Sequence, residues 1–156
     1  MKTIFPKKEC HIPKWIIIDA SGKTLGRLAT EVSKLLRGKE SGYFTPGVDQ
    51  GNYVVVLNAV QIQVTGKKEL QKLYYRNSQT PGNLKIETFQ QLKTRIPTRI
   101  VERAIWGMLP KGPLGRQYYR RLYVYSAQNM LLTTKLVQKE KISESEIFNL
   151  PNWVKV

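Results

Sequence analysis

Nine residues, Met108 to Arg116 (MLPKGPLGR), hold two cations, two prolines and two glycines and no acid. The prolines and glycines make a stiff loop, and Lys111 and Arg116 present positive charge towards its two ends. The chemistry open to such a loop is neutralisation of a polyanion, not turnover of a small substrate. Its neighbourhood agrees, because Lys93 to Arg121 carries eight cations against one acid, Glu102. Arg99 and Arg103, four positions apart, share one face of a predicted helix; a bound phosphate would relieve their mutual repulsion, or else that face is simply solvated. Arg120 and Arg121 follow Tyr118 and Tyr119, and Tyr74-Tyr75-Arg76 forms a second aromatic-basic cluster. Bases stack on tyrosine and guanidinium planes in RNA binding, whereas core packing is the other use of such rings. Of Tyr118 and Tyr119, the reading places one in the core and one at the surface.

Other constellations fail on spacing. Gly22-Lys23-Thr24 lies between a predicted strand and a predicted helix, the setting of a phosphate loop, but the glycine needed five positions earlier is replaced by Ile17. Nucleotide hydrolysis is therefore disfavoured. Lys23 and Arg27 at a helix N-terminus can still hold a backbone phosphate of RNA, or Lys23 is an exposed turn lysine. Asp19 and Asp49 are the only aspartates and His11 the only histidine, so no triad or carboxylate pair can be assembled, and Asp19 reads as a turn residue closing a strand. The lone Cys10 beside His11 supplies neither a disulfide framework nor a four-ligand zinc site and fits a reducing compartment. No catalytic residue, metal, cofactor or small-molecule substrate is expected.

The composition points the same way. The chain has 156 residues, 26 Lys plus Arg against 11 Asp plus Glu, and a formal charge of +15. That excess marks a nucleic-acid or acidic-membrane partner. The membrane is disfavoured, since the longest apolar runs, Trp15 to Ile18 and Tyr53 to Leu57, fall far short of the roughly 18 residues of a spanning helix. The N-terminus lacks a secretory apolar region. Residues 139–156 balance three lysines against three glutamates, so the first 138 residues carry all of the excess.

Several elements must position these cations. Trp15-Ile16-Ile17-Ile18-Asp19 reads as a strand buried on both faces and closed by a turn. Leu25, Leu28, Ala29, Val32, Leu35 and Leu36 recur at helical spacing, with Gly38 as the stop. Tyr53-Val54-Val55-Val56-Leu57 repeats the buried-strand pattern, and strand, helix, strand in this order suggests a parallel unit with a crossover. Between Ala59 and Tyr75 the pattern blurs: Ile62 and Val64 finish a short helix or begin a strand, and Thr65-Gly66-Lys67-Lys68 is a basic turn. Phe89, Leu92 and Ile96 make one helical face before Pro97, and Ile100, Val101, Ala104, Ile105 and Met108 another that Pro110 ends. Leu122 to Tyr125 reads as a last strand. Ser143-Glu144-Ser145-Glu146 offers a capping-box start for a helical turn in the tail. The fold class is α/β, divided into an N-terminal arm (1–14), one domain (15–126) and a C-terminal extension (127–156).

Four motifs in order, WIIIDASGKTLGRLAT (15–30), YFTPGVDQGNYVVVLNA (43–59), VTGKK (64–68) and MLPKGPLGR (108–116), make the chain resemble the large-subunit ribosomal protein thirteen family in its bacterial form. The resemblance implies a three-layer α/β/α domain around a small, mainly parallel sheet. It also implies a structural role: binding large-subunit rRNA, contacting neighbouring large-subunit proteins and supporting early subunit assembly. Carried onto matching positions, it implies RNA contacts at Lys23, Arg27, Arg37, Lys67, Lys68, Lys111 and Arg116, while Arg99, Arg103, Arg120 and Arg121 come from the charge argument. A free basic protein that binds DNA or RNA outside the ribosome is the alternative. The resemblance begins at Met1, leaving no room for an import presequence. Seventeen Lys and twelve Ile against five Ala suggest an AT-rich coding genome. Together these favour a ribosome in the plastid stroma, with the bacterial cytoplasm as the alternative.

Overall fold

The structure, a computed structural model, describes residues 5–7 and 11–127. Cys10 and the capping-box reading at Ser143–Glu146 lie outside the described residues. The elements run β1 (Trp15–Asp19), α1 (Leu25–Arg37), β2 (Tyr53–Leu57), α2 (Lys68–Gln71), β3 (Leu73–Asn77), β4 (Leu84–Thr88), α3 (Phe89–Arg95), α4 (Pro97–Met108), α5 (Pro113–Tyr119) and β5 (Leu122–Val124).

The β-branched runs of β1 and β2 pair in parallel, with Ile16 beside Val54 and Ile18 beside Val56, and β5 joins the other edge of β2, also in parallel. YVVVL therefore forms the central strand, which is why Val54, Val55 and Val56 are all buried while β1, at an edge, alternates between half-buried and buried. The expectation that β1 would be buried on both faces fails for that reason. Ile16, Ile18, Val54 and Val56 face a core shared with Leu28, Val32 and Leu36 of α1 and Ile100, Val101 and Ile105 of α4. Each fully buried leucine there stabilises the fold by about 2–5 kcal/mol relative to alanine. Helices layered on a small, mainly parallel sheet make this a three-layer α/β/α domain.

Local chemistry sets the ends. Gly38 closes α1 at φ 72°, donating its N–H to the Leu35 carbonyl oxygen, while the Lys39 N–H reaches Lys34. Thr88 and Gln91 exchange capping bonds at the start of α3. Pro97 and Pro113 each sit at the first turn of a helix, where a missing N–H costs nothing. Pro113–Arg116, read as loop from the sequence, is thus helical.

The blurred stretch resolves into several pieces. Ala59–Gln61 forms a single 3-10 turn, Gln63 bridges Thr24, and α2 leads into an antiparallel hairpin of β3 and β4 that the sequence did not reveal.

Candidate nucleic-acid interface

At one end of the domain, the backbone brings the VTGKK turn beside the start of α1. The Gln63 N–H donates to the Lys23 carbonyl oxygen at 3.0 Å, and the Leu25 N–H donates to Gln63 at 2.9 Å. Gly22 and Gly66 both turn the chain at positive φ, 68° and 67°, which sets Lys23 and Lys67-Lys68 on adjoining turns. Arg27 is exposed one helical turn after Lys23, and no acid occupies the first turn of α1, so the helix's own partial positive charge adds to theirs. Asp19 belongs to the scaffold. Its Oδ1 accepts from the Ser21 N–H (2.9 Å), the Ser21 hydroxyl (2.7 Å) and the Asn58 side-chain amide (2.8 Å), tying the turn after β1 to the end of β2. Partial burial alone would raise its pKa, but those donors and the charge of Lys23 outweigh burial and hold it below the usual aspartate value.

A second basic surface runs along α4 and the inward side of the hairpin. Arg95 pairs with Glu87 at 2.6 Å, and Glu87 is held below the ordinary glutamate range by that hydrogen bond and by the charges of Arg95, Arg99 and Arg76. The Arg103 guanidinium lies 5.8 Å from the Tyr74 ring centre and Lys72 Nζ 5.5 Å from it, so this half-buried ring carries two cations. Burial raises the Tyr74 pKa, with Arg103 opposing. Arg99 also acts on Tyr119, whose pKa is raised by burial and by Glu102. Tyr119 meets Trp106 edge-on at 5.1 Å, and Lys111 Nζ donates to the Trp106 carbonyl oxygen at 3.1 Å while lying 5.4 Å from its ring centre. Arg76, Arg99, Arg103 and Lys111 thus mark one basic belt studded with aromatic rings.

The MLPKGPLGR segment is rigid for a packing reason. Leu109 is in the core, and Gly115 approaches the Pro110 carbonyl so closely that any Cβ there would collide with backbone. Lys111 is held at the exposed apex, and Arg116 and Arg120 project from α5 and its C-cap without an ion pair among the described residues. Arg37, at the far end of α1, shares the Phe44 ring with Lys39 at 5.9 and 6.0 Å. Tyr118 is buried, but Tyr119, expected at the surface, is half-buried and packs against the core and the Trp106 ring.

Arg121 differs from the rest. Its guanidinium is spent on Asp49, with bonds of 2.9 and 2.6 Å, and on the Gly51 carbonyl oxygen at 2.5 Å, and its side chain is only 18% exposed. A run of basic residues in the sequence gives no sign that its last member has a carboxylate 72 positions away waiting for it. Arg121 clamps the 45–51 loop to the start of β5. Conversely, Lys39, Lys72, Arg76 and Trp106 join the basic surfaces although charge counting did not select them. Only Tyr74-Tyr75-Arg76, as an aromatic-basic cluster, signalled any of them. Among the described residues, no group of three or more His, Cys, Asp or Glu side chains gathers as a metal site, and no helix is long and apolar enough to cross a membrane.

Comparison with known proteins gives these surfaces a family. The family model described as Ribosomal protein L13 matches residues 13–131. A Borrelia turicatae protein named large ribosomal subunit protein uL13 is 52% identical over 134 residues, covering 86% of this chain and 90% of that protein. The protein of that name from Pseudomonas paraeruginosa is 48% identical over 142 residues, 91% of this chain and all of its own length. That from Crocosphaera subtropica is 47% identical over 151 residues, 97% of each chain, so the similarity runs well into residues 127–156. With its sequence motifs in order and a family match that spans nearly all of the described domain, the chain belongs to the ribosomal protein L13 family.

Proposed function

We propose that this chain is a non-enzymatic, structural constituent of the large ribosomal subunit, which binds large-subunit rRNA and supports early assembly of the particle. The observation that carries this reading is the family match over residues 13–131. The charge distribution supports it: among the described residues only Arg95 and Arg121 form ion pairs, so the remaining cations keep their charge for an external polyanion. Lys23, Arg27, Lys67 and Lys68 would grip phosphates at one end of the domain, and Arg99, Arg103 and Lys111, joined by Arg76, would grip them along the belt. Arg37, Arg116 and Arg120 would add further phosphate contacts. Phosphate contacts of this kind fix register without reading sequence. Neighbouring large-subunit proteins complete the set of partners.

We place the ribosome in a plastid, on the support of the lysine- and isoleucine-rich, alanine-poor composition and of cyanobacterial proteins among the relatives. Sedimentation of native extract at moderate and high salt, with this chain followed by mass spectrometry, tests the reading. Comigration with the large subunit at both salt concentrations is expected, in particles from purified plastids. Recovery only near the top of the gradient would instead favour a free basic nucleic-acid-binding protein.

A further inference from the structure

The hairpin is amphipathic the wrong way round for a protein standing alone. Register places Leu73, Tyr75, Ile86 and Leu84 on one side of the ribbon, together with Asn77 and Thr88, and Tyr74, Arg76, Lys85 and Glu87 on the other. The charged side is the one turned inward, because Tyr74 meets Phe89 and Arg103 and Glu87 pairs with Arg95. Leu73, Tyr75, Leu84 and Ile86 are between 43% and 56% exposed, and Leu70 of the preceding α2 is 70% exposed. These are five of the ten large apolar residues exposed in the described part of the chain, four of them on the hairpin and one on the helical turn that leads into it. Together they present on the order of 500 Å² of apolar surface, the size at which a monomer's largest patch usually has a use.

We propose that this outward face seats an extended apolar segment of a neighbouring protein in the same large subunit. The proposal rests on the ribosomal reading above and names a partner surface within it. Charge argues for protein over RNA. None of the six strand positions on this face is charged, in a chain of net charge +15, so it offers phosphates nothing, while an apolar partner would be desolvated against it without burying an unpaired ion. Geometry argues for an extended segment. A two-stranded ribbon leaves its outer edges open, and among the described residues neither β3 nor β4 bonds another backbone along its outer edge. The Thr88 N–H at the end of β4 is taken by the Gln91 side chain, which leaves β3 as the freer edge. A third strand could therefore add its backbone bonds to side-chain burial.

The test uses the full chain as the sole copy in cells. A photo-crosslinking phenylalanine analogue is placed at Tyr75 or at Leu84, on the apolar face, or at Lys85, on the other, and purified large subunits are irradiated and treated with ribonuclease. Tyr75 and Leu84 should each give an adduct with the same ribosomal protein, which Lys85 does not give. Adducts with RNA, with another part of this chain or with a second copy, or no adduct from subunits that contain the chain, would overturn the proposal. A second measurement does not depend on the analogue. The double variant Leu84→Ser, Ile86→Ser should bind isolated large-subunit rRNA with unchanged affinity, yet be retained in salt-washed subunits at least about tenfold less well. Equal retention, or a matching loss of RNA affinity, would overturn the proposal while leaving the chain a ribosomal protein. Absence of the unaltered chain from the subunit would sink both readings.

Discussion

Arg120 and Arg121 are neighbours of the same type, yet the structure gives them opposite work, and replacing each by glutamine should separate stability from RNA binding. The Arg121 guanidinium makes two bonds to Asp49, whose side chain is 5% exposed, and a third to the Gly51 carbonyl oxygen. Removing one partner of a pair this buried leaves the other's charge uncompensated, which typically costs about 3–5 kcal/mol. Taking about 3 kcal/mol for Arg121→Gln, since glutamine retains some hydrogen bonding, the midpoint of thermal unfolding should fall by roughly 10 °C in a domain of this size. Arg120 is exposed and makes no ion pair among the described residues, so Arg120→Gln should stay within about 0.5 kcal/mol of the parent. In RNA-binding titrations at several salt concentrations the order reverses. Arg120→Gln should reduce the slope of log affinity against log salt by about one unit, whereas Arg121→Gln, measured well below its melting point, should leave it unchanged. A double-mutant cycle with Asp49→Asn should return a coupling of about 1 kcal/mol or more. An Arg121 variant that melts like the parent but loses salt dependence would refute the clamp and restore Arg121 to the interface.

The other predictions follow from the same geometry. Replacing Lys111 and Arg116 together by alanine should flatten the salt slope of RNA binding by about one unit per lost phosphate contact with little effect on the melting temperature, and an unchanged slope would remove the segment from the interface. Gly115→Ala must push a methyl group into the Pro110 carbonyl, so it should destabilise the domain by about 1–3 kcal/mol in urea unfolding. The Asp19 carboxyl has its pKa lowered by folding, so its contribution is complete above the ordinary value of 3.8 and disappears as pH falls through the lower folded value. Asp19→Asn should therefore lower stability at neutral pH and flatten the acid limb of the stability profile. An acid limb parallel to the parent's would show that the Ser21 and Asn58 bonds do not act on the ionised carboxyl.

Regular burial was legible in the sequence, and irregular partnership was not. The central strand showed itself as YVVVL because a strand with neighbours on both edges and cover on both faces needs apolar residues without alternation. α1 was legible through Leu25, Leu28, Val32 and Leu36 and through the glycine that must adopt positive φ at its end. The hairpin was hidden for two reasons. Its connection, Ser78 to Asn83, is too long for a two-residue turn signature, and its apolar residues face outward, so the usual equation of apolar with core misplaces them. Among the cations, the sequence identified the charge but not its availability. Lys93 looks like any other lysine in the basic run until its Nζ is found donating to the Ile62 carbonyl oxygen at 3.2 Å. The two aromatic-basic clusters were visible as neighbours in sequence, but the rings on which Arg103 and Lys111 actually lie, Tyr74 and Trp106, are set by tertiary packing.

The division of charge between these faces bears on how such a protein can assemble early. A chain with unneutralised cations on every face would bind RNA in many orientations, because phosphate attraction is long-ranged and indifferent to sequence. Here the inward face of the hairpin puts Arg76 next to the Arg99 and Arg103 belt, while the outward face carries no charge. An encounter driven by counterion release is then biased toward the belt and the turn around Lys67, and the apolar face is left pointing away from the RNA. Orientation would be chosen before any specific contact forms, and the uncovered face would await a partner that meets the complex later. If that order holds, placing a positive charge on the neutral face by Leu84→Lys should weaken no RNA contact and should strengthen nonspecific binding through the wrong face. Footprints of the variant on isolated rRNA should become more diffuse as salt is lowered, while those of the parent remain sharp; equally sharp footprints would show that the neutral face plays no part in orientation.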